Sequence, residues 1–97
     1  MGGGRWDVEL LPAARRQLRE LPNPEREEAL DLLTDLVEHP VLPGAEPLRN
    51  YHNRYKIRFG RRGRYRMLYD VFASSRKVLV GMIKLRGPET YSGMDRW

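Results

Sequence analysis

Residues 53–70, NRYKIRFGRRGRYRMLYD, contain two runs in which apolar and polar side chains alternate, which is the period of a half-buried β-strand. The apolar members are Tyr55, Ile57 and Phe59 in the first run and Tyr65, Met67 and Tyr69 in the second. Residues directly opposite each other in an antiparallel pair point to the same face, so both sets share a face only if paired residue numbers have an even sum. This segment is therefore predicted to be a β-hairpin with few allowed registers.

The residues between the two runs select one register. A two-residue turn at 61–62 gives an odd sum and places the apolar sets on opposite faces. A three-residue connection at 61–63 gives an even sum and corresponds to a type I turn with a G1 bulge, whose last position has positive φ. Gly63 occupies that position, and glycine is favoured there.

The polar side of the same hairpin is almost entirely basic. Seven of its eighteen residues are Lys or Arg, and its one acid, Asp70, comes last. The predicted register sets Arg58 opposite Arg66, with Lys56 one step along, and like charges placed opposite each other lose ~0.2–1 kcal/mol. A phosphate bound between the two arginines would make the interaction favourable, because arginine forms bidentate bonds with phosphate oxygens. We predict an anion site here, although many basic strand faces are merely solvated.

Charge is also divided unequally along the whole chain. Residues 1–48 carry five Lys or Arg and ten Asp or Glu, whereas residues 49–97 carry thirteen and three, for a total of +5. A basic half of this kind favours a polyanionic partner, and nucleic acid is the first candidate. No acidic residue is expected on the basic face, and no metal or other cofactor is predicted.

The size of the chain indicates one domain. It has 97 residues, 40% of them hydrophobic, and no cysteine, which excludes disulfides and fits a reducing compartment. It shows neither a signal peptide nor an apolar run long enough to span a bilayer. We expect a cytoplasmic protein with no membrane partner, in which residues 1–5 form a flexible leader and residues 6–97 a single domain.

The rest of the chain completes an α+β pattern in the order β-α-α-β-β-β. A strand at 6–10 precedes a helix that starts at Pro12, and a second helix follows the corner at 22–24, with its apolar stripe on Ala29, Leu30, Leu33, Leu36 and Val37. This helix is expected to end near His39, before a loop over 40–50. Two N-terminal helices are therefore predicted to pack on one face of a mostly antiparallel, twisted sheet.

The last strand, KVLVGMIKL at 77–85, is predicted to extend the basic face. Leu79, Ile83 and Leu85 are expected to face the helices. The alternate residues, which are expected to face the basic side, are Val80, Met82, Lys84 and Arg86.

With these segments in order, the chain resembles the RelE/ParE superfamily of bacterial type II toxins, and in particular its RelE-like ribonucleases. The likeness lies in "WDVELLPAARRQLRELP", in "PLRN...RYKIRFGRRGRYRMLYDV" and in "VGMIKLRGPETY". It implies a metal-independent endoribonuclease that cleaves messenger RNA in the ribosomal A site by attack of the RNA's 2′-hydroxyl, leaving a 2′,3′-cyclic phosphate. It also implies a cognate antitoxin protein, the ribosome with its RNA, and messenger RNA as partners.

The resemblance assigns roles to residues that match the family's motif. The implied catalytic set is Lys56, Arg58, Arg66, Arg86 and Tyr91. Arg66 and Arg86 suit stabilisation of the phosphorane, and Lys84 is a second candidate for the role of Arg86. Two candidates for the base are Lys56 and Tyr91, and the alternative role of Tyr91 is to stack on a nucleobase. Further contacts with RNA or the ribosome are expected from His52, Arg54, Arg61, Arg62, Arg64 and Lys84.

Two other functions stay open at this stage. A ParE-like gyrase poison would share the fold without the ribonuclease residues. A toxin that has lost catalysis would act only as a binding module.

Overall fold

The structure, a computed structural model, describes residues 4–87. Its helices and strands are β1 Asp7–Leu10, α1 Pro12–Glu20, α2 Asn23–Leu36, β2 Glu46–Pro47, β3 Arg54–Phe59, β4 Tyr65–Phe72 and β5 Lys77–Leu85. The strands form one sheet in the order β1-β5-β4-β3-β2, in which β1 runs parallel to β5 and the other pairs are antiparallel. The predicted α+β fold, with two helices packed against a mostly antiparallel sheet, is confirmed.

Both helices bury a narrow apolar stripe against the sheet. Pro12 is the first residue of α1, where its missing N–H breaks no helical bond, and Ala14 is fully buried one turn later. In α2, Ala29 and Leu36 are fully buried, whereas Leu30, predicted to be core, is 46% exposed. Leu30 lies about 100° around the helix from Ala29, outside the narrow stripe that reaches the sheet. No helix within residues 4–87 is long and apolar enough to cross a membrane.

The helix also ends earlier than predicted. The last residue of α2 is Leu36, and Val37 and Glu38 continue in a turn whose amides bond to carbonyls of the last helical residues. A tightened last turn of this kind is common at helix ends.

The predicted hairpin register is confirmed. Ile57 lies opposite Met67 and Phe59 opposite Tyr65. The rings of Tyr55 and Tyr69 stack with centroids 5.8 Å apart, and those of Phe59 and Tyr65 are 5.6 Å apart. These cross-strand pairs form the floor of the main core beneath the helices.

The connection between β3 and β4 differs from the predicted G1-bulge turn. Residues 61–63 form a short 3₁₀ turn, closed by the Gly63 amide on the Gly60 carbonyl at 3.0 Å. Gly63 has the predicted positive φ of 62°, but Gly60 and Arg62 also have positive φ, at 81° and 57°. The connection therefore spans residues 60–64 between the strands, and two amide bonds within it close the turn.

The prediction for 40–50 was wrong at one place, because Glu46–Pro47 forms β2. This short strand pairs antiparallel with β3, with Glu46 opposite Lys56. Proline is tolerated there because β2 is the edge of the sheet, where one side of the strand needs no partner.

The predicted facing of β5 was wrong in its first half. Between the pairs Leu68–Met82 and Tyr69–Val80 the ladder contains a bulge, which places one extra residue, Gly81, in β5. A bulge of one residue exchanges the two faces of a strand. Val80 therefore belongs to the core and Leu79 lies opposite Asp70, contrary to the prediction. After the bulge, Ile83 is buried in the core and Lys84 lies opposite Arg66, as predicted.

Candidate nucleic-acid interface on the basic face

Three cations lie side by side across three strands on the face opposite the helices. The register places Arg58 of β3 opposite Arg66 of β4, and Arg66 opposite Lys84 of β5. Neighbouring strands are ~4.8 Å apart, so this cation row concentrates positive charge within a short distance. The Arg86 amide bonds to the Arg64 carbonyl at 2.7 Å, which adds one more basic pair beyond the row.

The two arginines of the cation row, Arg58 and Arg66, line a cavity of about 520 Å³, which we call the basic pocket. It is lined by Arg58, Arg62, Gly63, Arg64, Arg66, Leu85 and Arg86. None of these residues, all within the described part of the chain, is acidic. The pocket can therefore hold an anion without displacing a carboxylate.

Arg66 is the buried member of the row. It is 5% exposed, and its Nη1 donates hydrogen bonds to the carbonyl oxygens of Gly63 and Tyr65, the latter at 3.1 Å. Its Nε is buried and has no hydrogen-bond partner among residues 4–87. Leaving a buried donor unpaired costs about 1–3 kcal/mol, so an oxygen acceptor entering the pocket would gain from this arrangement.

The other predicted contacts are distributed over more than one surface. Arg58, Arg62, Arg64 and Arg86 are exposed around the pocket. Lys84 is half-buried and lines a different hollow, together with Gln17 and Glu20 of α1. Arg61 instead lines a separate hollow with Glu25 and Glu28 at the start of α2. His52 is exposed in the loop before β3. Tyr91 lies outside the described residues.

The expectation that the basic face carries no acid was wrong. Glu46 of β2 places its Oε1 3.9 Å from Lys56 Nζ and 4.0 Å from Arg58 Nη2. Sequence reasoning missed this carboxylate because it assigned residue 46 to a loop. Glu46 and Arg58 have side chains 55% and 60% exposed, and such exposed pairs contribute little, so Arg58 stays available to a stronger anion.

Asp70 is the second acid on this face, and it holds Arg54. The Arg54 Nε lies 2.6 Å from Asp70 Oδ1 and the Nη2 2.9 Å from Oδ2, with both side chains 7% exposed. The Arg54 guanidinium also lies 4.5 Å from the centre of the Tyr51 ring. The even-sum register already places Asp70 opposite Arg54, so the signal for this pair was present in the sequence. Arg54 stabilises the sheet and is separate from the pocket-lining arginines.

Metal ligands do not gather in the described part of the chain. Within residues 4–87 there is no group of three His, Asp or Glu side chains that could hold a metal ion.

Several solved structures of toxins share this fold. A mutant of the Escherichia coli toxin RelE in the free state superposes with a TM-score of 0.76 at 26% identity, covering 95% of this chain and 97% of that chain. A chain of the toxin–antitoxin complex RelBE2 from Mycobacterium tuberculosis gives 0.69 at 26% identity, covering 84% and 99%. The YoeB dimer from Staphylococcus aureus gives 0.68 at 18% identity over 87% and 100%, which shows the fold alone.

Searches at the level of sequence gave no such match: no protein-family model matches the chain, and no curated protein does. The structural likeness to the E. coli toxin nevertheless extends over nearly the full length of both chains. It agrees with the strand order, the helix pair and the hairpin described above. In fold and over nearly its whole length, the chain is similar to toxins of the RelE-like superfamily.

Proposed function

We propose that this chain is the toxin of a type II toxin–antitoxin pair and that it cleaves messenger RNA in the ribosomal A site, which stops translation. The observation that carries this proposal is the buried Arg66, which lines the basic pocket, has an unpartnered Nε, and lies between the other two cations of the row. A guanidinium that is fixed in place, has an unpaired donor and lines a pocket without acidic residues can stabilise a phosphodiester that gains negative charge during reaction.

The reaction needs no group beyond the RNA and the side chains. The RNA's 2′-oxygen attacks the adjacent phosphorus, the bond from phosphorus to the 5′-oxygen breaks, and the products are a 2′,3′-cyclic phosphate and a 5′-hydroxyl. Arg66, Arg58 and Arg86 would stabilise the charge of the phosphorane. A base takes the proton of the 2′-hydroxyl, and an acid gives one to the leaving 5′-oxygen.

Lys56 and Tyr91 are the two candidate bases. Lys56 lies next to the cation row on β3, with the Glu46 carboxylate 3.9 Å from its Nζ. Tyr91 lies outside the described residues, so its role rests on the family resemblance alone. Cleavage rates of Lys56→Met and Tyr91→Phe measured against pH separate them, because loss of the base removes the alkaline-side gain in rate.

The same surface supports the proposed macromolecular partners. Ribosomal RNA would meet the exposed arginines around the pocket, while the ribosome supplies the messenger in a fixed position. A cognate antitoxin would cover this face with an acidic or amphipathic segment. That partner is supported by likeness to chains solved as toxin–antitoxin complexes, among them the RelBE complex of E. coli.

The test is a map of transcript 5′ ends after brief induction of the toxin. We expect cleavage within translated regions for the wild-type chain, and a loss of about 100-fold or more for Arg66→Ala, the range seen when a transition-state donor is removed. Arg15→Ala is the matched control, because Arg15 is an exposed arginine on α1 and its loss changes the net charge equally.

Three outcomes would contradict the proposal. Wild-type cleavage by Arg66→Ala would remove the site assignment. Intact messenger with DNA-damage signalling would indicate a gyrase poison, and intact messenger with ribosome binding would indicate a binding module.

A further inference from the structure

The guanidinium of Arg66 is aimed by the backbone of the hairpin turn, residues 60–64. Its Nη1 donates to the carbonyl oxygens of Gly63 and Tyr65, one within the turn and the other immediately after it. These bonds fix the plane of the guanidinium, and both acceptors are backbone atoms. The direction of the unpartnered Nε therefore follows the path of the turn.

That path depends on backbone conformations that most residues avoid. Gly60 has φ 81° and ψ −180°, a region open almost only to glycine, and Arg62 and Gly63 both have positive φ. The turn is closed by two amide bonds, from Gly63 to the Gly60 carbonyl at 3.0 Å and from Arg64 to the Arg61 carbonyl at 3.2 Å. A change at Gly60 would thus alter the position of the Gly63 carbonyl.

Gly60 is also clamped between the sheet and α2. A Cβ atom at this position would lie 2.6 Å from Tyr65 Cδ1 and 3.1 Å from Glu25 Cγ, so no larger residue fits without displacement. The Gly60 amide donates to Glu28 Oε1 at 3.2 Å. Glu28 of α2 therefore ties the turn to the helical layer on the opposite side of the sheet from the basic pocket.

We propose that Gly60 and Glu28 are positioning residues, which hold the hairpin turn and its Gly63 carbonyl so that the Arg66 Nε points into the basic pocket. The proposal rests on the function proposed above for its effect on cleavage. Its effect on Arg66 itself is a property of the protein alone, without RNA. The effect on Arg66 and the effect on cleavage can therefore be refuted separately.

The first measurement is the NMR resonance of the Arg66 Nε–Hε group in the free protein. Gly60→Ala should shift it, whereas Gly44→Ala should not. Gly44 is the matched control because its φ of 88° is equally unfavourable for alanine, yet a Cβ there meets nothing within 4 Å. An unshifted resonance in folded Gly60→Ala would overturn the proposal, as would an equal shift in Gly44→Ala.

A second set of variants keeps the test valid if Gly60→Ala fails to fold. Glu28 is exposed, so its replacement leaves the core intact. Glu28→Ala removes the acceptor of the Gly60 amide and should shift the Arg66 resonance, whereas Glu28→Gln retains an acceptor oxygen and should restore it. Glu27→Ala, which removes an exposed acid of the same helix, should leave the resonance unchanged. No shift in Glu28→Ala would refute the role of Glu28.

The third measurement is single-turnover cleavage on programmed ribosomes. Gly60→Ala should lower the maximal rate about 10- to 100-fold, because a misplacement of ~1 Å lowers rates to that degree. The ribosome concentration that gives half the maximal rate should stay within about twofold, since the exposed arginines still bind RNA. A rise in that concentration at an unchanged maximal rate would refute positioning. A wild-type chain that cleaves no messenger would refute the proposed function. The Arg66 resonances of the variants would still test whether Gly60 and Glu28 position Arg66.

Discussion

Asp70→Asn should be among the most damaging single substitutions on the basic face. The change keeps the shape of the side chain and one acceptor oxygen, but it removes the negative charge that faces Arg54. Two contacts of 2.6 Å and 2.9 Å join the pair, and each side chain is only 7% exposed. The variant therefore leaves a guanidinium charge buried opposite a neutral amide.

The magnitude follows from that burial. Removing one partner of a buried ion pair costs about 3–5 kcal/mol, because the remaining buried charge loses its opposite charge. Small domains have a total unfolding free energy of about 5–15 kcal/mol, so the loss is a large fraction of stability. At ~4–8 °C per kcal/mol for a domain of this size, Tm should fall by more than 10 °C.

Urea denaturation followed by far-UV circular dichroism measures this loss. Glu9→Gln is the control, since the Lys77–Glu9 pair at 3.5 Å has side chains 37% and 53% exposed and should contribute no more than about 1 kcal/mol. The double variant Arg54→Met with Asp70→Leu should recover most of the stability, because apolar residues of similar volume often replace a buried pair without loss. An Asp70→Asn variant as stable as Glu9→Gln would refute the reasoning.

Two further substitutions test the site and the core by the same assay. Arg66→Met keeps the apolar stem but removes a charge that faces Arg58. We expect the unfolding free energy to change by no more than about 1 kcal/mol, because the loss of the Arg66 hydrogen bonds is offset by the loss of charge repulsion and of the unpaired Nε donor. A loss of stability above ~3 kcal/mol would contradict this. Tyr69→Phe should lose about 1–3 kcal/mol at neutral pH, because the Leu42 amide donates to the Tyr69 oxygen at 3.3 Å in a buried site. Burial raises the pKa of Tyr69, so the contribution of its neutral phenol is complete below pH ~10 and falls as pH rises through the higher folded value. The difference between wild type and Tyr69→Phe should therefore shrink in alkali, and a constant difference would show that folding does not raise the pKa of Tyr69.

The hairpin was predictable from sequence because two independent constraints agree there. The alternation of apolar residues requires an even register, and Gly63 permits a turn of matching parity. The same parity also pairs Arg54 with Asp70. The sequence therefore implied that ion pair, but the register was applied to the repulsion between Arg58 and Arg66 and not to the acid at the end of the basic run.

The features that sequence did not reveal lack a local signal. Strand β2 has only two residues, one of them Pro47, and exists because β3 offers it an edge. The bulge at Gly81 lies in a strand that is apolar on both faces, where no alternation marks the change of phase. Leu30 has the right residue type for a core, but the sheet reaches only a narrow stripe of α2.

Arg54 and Arg66 show how one residue type serves two purposes on a single face. Both are almost fully buried, at 7% and 5% exposed. A carboxylate holds Arg54, so its field is cancelled and its contribution is to stability. Backbone carbonyls hold Arg66, and dipoles orient a guanidinium without neutralising its charge. The proposed site depends on this difference in partners, because an anion in the basic pocket gains most from a charge that the fold has fixed in place and left uncancelled.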